Sequence, residues 1–150
     1  MPPSAIADAA QLRQTVQRLA SDLPVTDMHT HLYAPAFGEL LLWGIDELLI
    51  YHYLISESFR QTDQPYDEFW ALPKREQANL IWQRLFLDHS PVSEAATGFI
   101  TILHRLGLDV SSRNLDDYRR QLEARSTSEQ VDAVMQLAGV RDIVMTNDPF

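Results

Sequence analysis

The sequence contains no cysteine. A disulfide scaffold and a thiolate metal site are therefore both excluded, and a reducing cytoplasm is the compartment that suits the chain. Basic residues are scarce: 12 Lys and Arg stand against 21 Asp and Glu, for a formal net charge of −9. That balance argues against nucleic acid or an anionic membrane as a partner, since both reward clustered Lys and Arg. It says little about small substrates, which feel the local field of a pocket. No apolar run approaches the ~20 residues of a membrane span. The opening Met1-Pro2-Pro3-Ser4 has neither the basic nor the apolar region of a signal peptide. Internal repeats, low-complexity tracts and obvious linkers are also missing. What remains is an ordinary globular composition, 45% hydrophobic and 22% charged over 150 residues, a length that suits one domain.

The most informative stretch is Asp27-Met28-His29-Thr30-His31, which ends a short apolar run, Leu23-Pro24-Val25-Thr26. Strand side chains alternate faces, so His29 and His31 point the same way. Two imidazoles on one face at a strand tip can grip one divalent metal, each through a neutral ring nitrogen. A bare His-x-His also fits two unrelated histidines near a surface loop. Asp27 before the pair and the strand pattern beneath it favour the metal.

The rest of the chain reads mainly as helices. Ser4 can cap a helix running to about Asp22, which Pro24 stops. From about Asp46 to Gln61 the apolar spacing is helical, with Leu48, Leu49, Tyr53, Ile55 and Phe59. Pro73 can sit in the first turn of a helix carrying Ala78, Ile81, Trp82, Leu85 and Phe86. Ser90-Pro91 opens another, and Gly107 ends it as a left-handed cap. Asn114 starts a short helix with Leu115, Tyr118 and Leu122. Ser126 and Glu129 fit a capping box for a helix ending near Gly139. The β-rich run Asp142-Ile143-Val144-Met145-Thr146 follows, closed by Asn147-Asp148-Pro149.

Two strand candidates thus lie more than a hundred residues apart. A two-stranded sheet is a poor independent core, and a strand buried on both faces needs neighbours. Taken alone, this pattern fits the opening portion of a larger α/β protein and a complete helical domain with a β-ribbon equally well.

The segment from Pro24 to Tyr33 resembles the first barrel strand of the amidohydrolase superfamily. Further stretches resemble the uronate isomerases of that superfamily. They are Ala34 to Trp43, Ile45 to Leu49, Tyr51-His52-Tyr53-Leu54, Phe69-Trp70-Ala71-Leu72, Lys74 to Ala78, Ser90 to Ala95, and Val144 to Phe150. The resemblance runs from about Gln11 to the last residue and is closest to the bacilli-type branch. It implies an α/β fold, the N-terminal part of a distorted (β/α)8 barrel of TIM type. Residues 24–32 would form strand one and residues 141–147 strand two. A mainly helical insertion, residues 34–139, would lie between them. The whole chain, 1–150, would be one segment of a single barrel domain whose remainder is absent.

The resemblance also implies a reaction: reversible aldose–ketose isomerisation of a hexuronate, D-glucuronate to D-fructuronate and D-galacturonate to D-tagaturonate. The proton moves between C2 and C1 and needs a base, an electrophile and a shuttle. His29 and His31 would ligate one divalent metal, commonly zinc, with a third ligand from an aspartate on the last barrel strand. His52 would hold a substrate oxygen, and Tyr53 would help pass the proton. A phenol needs a nearby cation to act as a base. Read without the resemblance, His52 is a polar residue on an amphipathic helix and Tyr53 a core aromatic. The implied partner is the small hexuronate, with self-association into a homo-oligomer left open, and the isolated chain is expected to be inactive. Two alternatives stand beside this reading: another metal-dependent hydrolase of the superfamily, and a non-catalytic fragment that binds the rest of a barrel.

Weaker candidates complete the survey. Asp27 would orient the strand tip through hydrogen bonds. Thr146 and Asp148 would either line a pocket or form an ordinary turn. His89 and His104 read as capped or surface histidines rather than ligands. Trp43, Trp70 and Trp82 suit core or interface packing.

Overall fold

A computed structural model describes residues 6–36 and 43–146. The chain divides into two compact units, residues 1–32 with 134–150, and residues 33–133.

The first unit holds helix α1 (Ala9–Asp22) and the strands β1 (Val25–Thr30) and β2 (Val140–Met145). Asp8, not Ser4, caps α1. Its side chain accepts the Gln11 amide at 2.8 Å, and the Gln11 side chain reaches back to the Ala7 amide. The pairing of Asp8 with a Gln three residues on is a stronger start signal than a lone serine. Ser4 lies outside the described residues. β1 and β2 pair in parallel, with Val25 opposite Val140 and Thr30 opposite Met145. A parallel pair requires a long crossover, which the second unit supplies. The register slips twice, after Val25 and between Asp27 and Thr30. Leu12, Val16 and Leu19 of α1, and Val25, Met28 and Val144 of the strands, stay exposed. Among the described residues, none of the buried apolar side chains of the core belongs to this unit.

The second unit is helical and carries that core. Helices α2 (Ile45–Leu49) and α3 (His52–Phe59) replace the single helix expected from Asp46 to Gln61. The reason is phase. Leu49 and Leu54 are both buried, yet five residues in one helix would turn them about 140° apart. Tyr51 takes an extended conformation, φ −65° and ψ 140°, and the break lets both leucines face inward. Helix α4 (Tyr66–Trp70) begins at Pro65 and was not foreseen; it buries Phe69 completely.

Helix α5 (Lys74–Trp82) follows Pro73 and widens into a π-helical turn, Gln83–Leu87, where the Asp88 amide bonds back to Gln83. Ala78, Ile81, Trp82, Leu85 and Phe86 are buried as the spacing predicts. Trp82 stacks on Phe86 at 4.9 Å, and Phe86 meets Phe99 at 4.9 Å. Helix α6 (Glu94–Arg105) starts later than Ser90-Pro91. It ends as expected at Gly107, whose φ of +83° needs a glycine. The Leu108 amide reaches the Leu103 carbonyl and the Gly107 amide that of His104, the double bond of a Schellman cap. Asn114 caps α7 (Leu115–Glu123), as expected. Ser126 and Glu129 form the reciprocal capping box of α8 (Thr127–Ala138). The Ser126 amide and hydroxyl both donate to Glu129 and hold its carboxyl below the usual range.

Ser93 has two tasks at the start of α6. Its hydroxyl accepts the Ala96 amide at 3.1 Å and donates to Glu57 of α3 at 2.5 Å. Ser93→Ala should therefore cost about 1–2 kcal/mol in urea unfolding, the upper range for a lost cap. Ser93→Asp keeps the acceptor but faces Glu57 with a like charge, so it should recover little of that loss.

Candidate active site

His29 lies in β1 and His31 one residue past its end. Both are exposed. Their rings meet edge to face with centroids 5.1 Å apart, so the alternation rule does bring them together. The backbone around them is tied down. The Asp27 side chain accepts the His29 amide at 3.0 Å, the orienting role expected of it. The Thr30 carbonyl, between the two histidines, accepts the Thr146 amide at 2.9 Å and the Thr146 hydroxyl at 3.0 Å. Thr146 thus clamps the ends of the two strands together, while Asp148 lies outside the described residues. The Thr30 hydroxyl accepts the Leu32 amide at 3.3 Å.

The donor set can be compared with what a divalent ion asks for. Imidazole nitrogens bind zinc at ~2.1 Å, which places each ring centroid ~3.2 Å from the ion. At a tetrahedral angle two such centroids are then ~5 Å apart. The observed 5.1 Å is compatible with that value. Two imidazoles alone leave the ion short of ligands. Among the described residues no group of three or more His, Asp or Glu converges to hold a metal.

His52 and Tyr53 open helix α3 in the second unit. Their rings lie 4.2 Å apart. Tyr53 is 59% exposed, so it is not the core aromatic that helical spacing alone suggests. Leu54 and Ser58 take the inward positions. Tyr51, which sequence reasoning passed over, adds a third ring, 4.2 Å from His52 and 5.5 Å from Tyr53. The available signal was the run of three consecutive ring residues.

The other candidates sort themselves by surroundings. The His89 ring lies 2.7 Å from the Arg84 carbonyl on the π-helical turn, and His104 sits exposed on the last turn of α6. Trp82 is core; Trp70 is 57% exposed. With Phe59, Arg60 and Tyr66, Trp70 borders an open depression of about 270 Å³. Sequence reasoning missed this feature.

No family model and no curated protein matches the chain. A solved structure does: the crystal structure of an uronate isomerase from Bacillus halodurans. The two share 54% identity over 97% of this chain, with a TM-score of 0.90. The chain resembles a uronate isomerase. The likeness agrees with the family resemblance carried by the sequence motifs. The chain spans 35% of the length of that uronate isomerase.

Proposed function

We propose that this chain is part of a uronate isomerase that interconverts D-glucuronate with D-fructuronate and D-galacturonate with D-tagaturonate. The observation that carries the reading is 54% identity to a uronate isomerase across nearly the whole chain. The architecture proposed with it is the barrel of the amidohydrolase superfamily, with residues 34–139 as the insertion between its first two strands. The first unit supports this. Parallel strands are normally covered on both faces, and here the strands and the apolar stripe of α1 are bare. The remainder of a barrel would cover them.

His29 and His31 would hold a divalent ion, zinc by the family resemblance. When bound, the ion supplies orientation of the substrate oxygens and of the acidic group beside it. The Asp27 and Thr146 hydrogen bonds hold the strand tip in place, fixing the backbone of both histidines before any ligand arrives. On the insertion, His52 would hydrogen-bond a substrate oxygen of the open-chain sugar. A base removes the C2 proton, and the C1 carbonyl oxygen gains a proton as the C1–C2 enediol forms. O2 then loses its proton, C2 becomes the carbonyl, and a proton is delivered to C1. Tyr53, through its exposed phenol, would relay that proton.

The test is a chimaera in which this chain replaces the matching region of the Bacillus halodurans enzyme. Zinc-supplied chimaera should convert D-glucuronate to D-fructuronate, while the 150-residue chain alone should not. A folded, zinc-loaded chimaera that turns over neither uronate would sink the reading.

A further inference from the structure

Three rings crowd the first turn of α3. The rings of Tyr51 and Tyr53 each lie 4.2 Å from the imidazole of His52 and 5.5 Å from one another, so the three rings form a compact triangle. Neighbours in a helix point about 100° apart, so consecutive side chains do not normally pack in this way. The break between α2 and α3 makes it happen: Tyr51 is the N-cap residue, in extended backbone, and its ring folds back over His52. The phenols are more than half exposed, Tyr51 at 53% and Tyr53 at 59%. Exposed aromatic rings gain little by burial. Ring pairs have preferred mutual geometries, so the two phenols bias which way the imidazole points.

We propose that Tyr51 is a positioning residue: its ring, packed against His52 beside the ring of Tyr53, fixes the orientation in which His52 meets the substrate. The proposal rests on the assignment of His52 and Tyr53 to the isomerase reaction. The break that lets Leu49 and Leu54 face one core also keeps the Tyr51 ring beside His52, from which a continuous helix would carry it away. The proposal also separates contact from chemistry: the ring face of Tyr51 matters and its hydroxyl does not. Geometry of this kind has large kinetic weight, because a misplacement of about 1 Å can cost on the order of a hundredfold in rate.

The experiment has two arms. In the 150-residue chain, the His52 ring protons are followed by NMR in wild type, Tyr51→Phe and Tyr51→Leu, with His104 as an internal reference. Tyr51→Leu should move the His52 resonances downfield by several tenths of a ppm through loss of the ring current. Tyr51→Phe should hold them near wild type, and His104 should stay in place. In the chimaera, Tyr51→Leu should lower kcat/KM for D-glucuronate about tenfold with an unchanged melting temperature. Tyr51→Phe, which keeps the ring face, should stay within twofold; a merely structural role would instead lower the melting temperature of Tyr51→Leu along with its activity. Unmoved His52 resonances in Tyr51→Leu would overturn the packing. Moved resonances with unchanged kcat/KM would overturn the positioning role. An inactive parent chimaera would instead sink the isomerase reading, and the role of Tyr51 with it, while the NMR arm still reports the packing.

Discussion

Replacing either His29 or His31 by alanine in the chimaera should lower kcat/KM for D-glucuronate by three orders of magnitude or more. That corresponds to about 4 kcal/mol of transition-state stabilisation. The two substitutions should act alike, because each removes one of only two imidazoles at the tip of β1. Bound zinc, measured on the purified protein, should fall with each. Far-UV circular dichroism should not change, since both side chains are exposed and neither supports the core. His104→Ala is the control: it is also an exposed histidine, on α6, and should leave activity and zinc content intact. Full zinc occupancy in His29→Ala would show that the strand tip is not the metal site, even if activity were lost. Asp27→Ala should give a smaller loss, about 10–100-fold, because its side chain holds only the backbone amide of His29.

The strand tip was legible because its signals are local. Alternation along β1 places His29 and His31 together without any knowledge of the rest of the chain. The same is true of the caps at Asn114, Ser126 and Gly107, where a side chain or a glycine satisfies the end of its own helix. Features that depend on distant packing were not legible. The α2–α3 break answers the demand that Leu49 and Leu54 both face one core, which a single helical period cannot reveal. Helix α4 is too short to show periodicity, and it forms because Phe69 has a place to go. The pairing of β1 with β2 spans over a hundred residues and was readable only through resemblance to a family. In the candidate site, the position of Tyr51 over His52 follows from that unforeseen break, so it was missed for the same reason.

Arg119 is the clearest case of a residue whose surroundings the sequence hides. Arg119 and Arg120 are neighbours on α7, yet Arg119 is 4% exposed while the side chain of Arg120 lies in solvent. The Arg119 guanidinium joins three helices. It donates to Asp46 of α2 at 2.7 and 2.9 Å, to Asn79 of α5 at 2.8 Å, and to Asp116 one turn back on α7 at 2.9 Å. Burial pulls its pKa down, but hydrogen bonds to Asp46 and Asp116 outweigh that, and the net direction is up. Its loss should therefore be felt across the helical unit. Arg119→Ala should cost about 3 kcal/mol in urea unfolding at neutral pH, the low end for breaking a buried pair. The Asp46 arm should dominate, because Asp116 is mostly exposed and an exposed partner contributes little. A cycle of Arg119→Met with Asp46→Asn should then return a coupling of about 1–2 kcal/mol, whereas the cycle with Asp116→Asn should return less. Arg119→Lys should not restore wild-type stability, because one ammonium cannot reach all three helices as the guanidinium fork does. Acid sets the sign of the remaining test. The Arg119 hydrogen bond holds the Asp116 carboxyl below its usual 3.8, so that contribution is present above 3.8 and lost as pH falls through the lowered value. The gap in stability between wild type and Arg119→Ala should accordingly narrow below pH 3.8. A gap independent of pH would mean that the Asp116 bond adds nothing measurable and that the Asp46 and Asn79 bonds carry the effect.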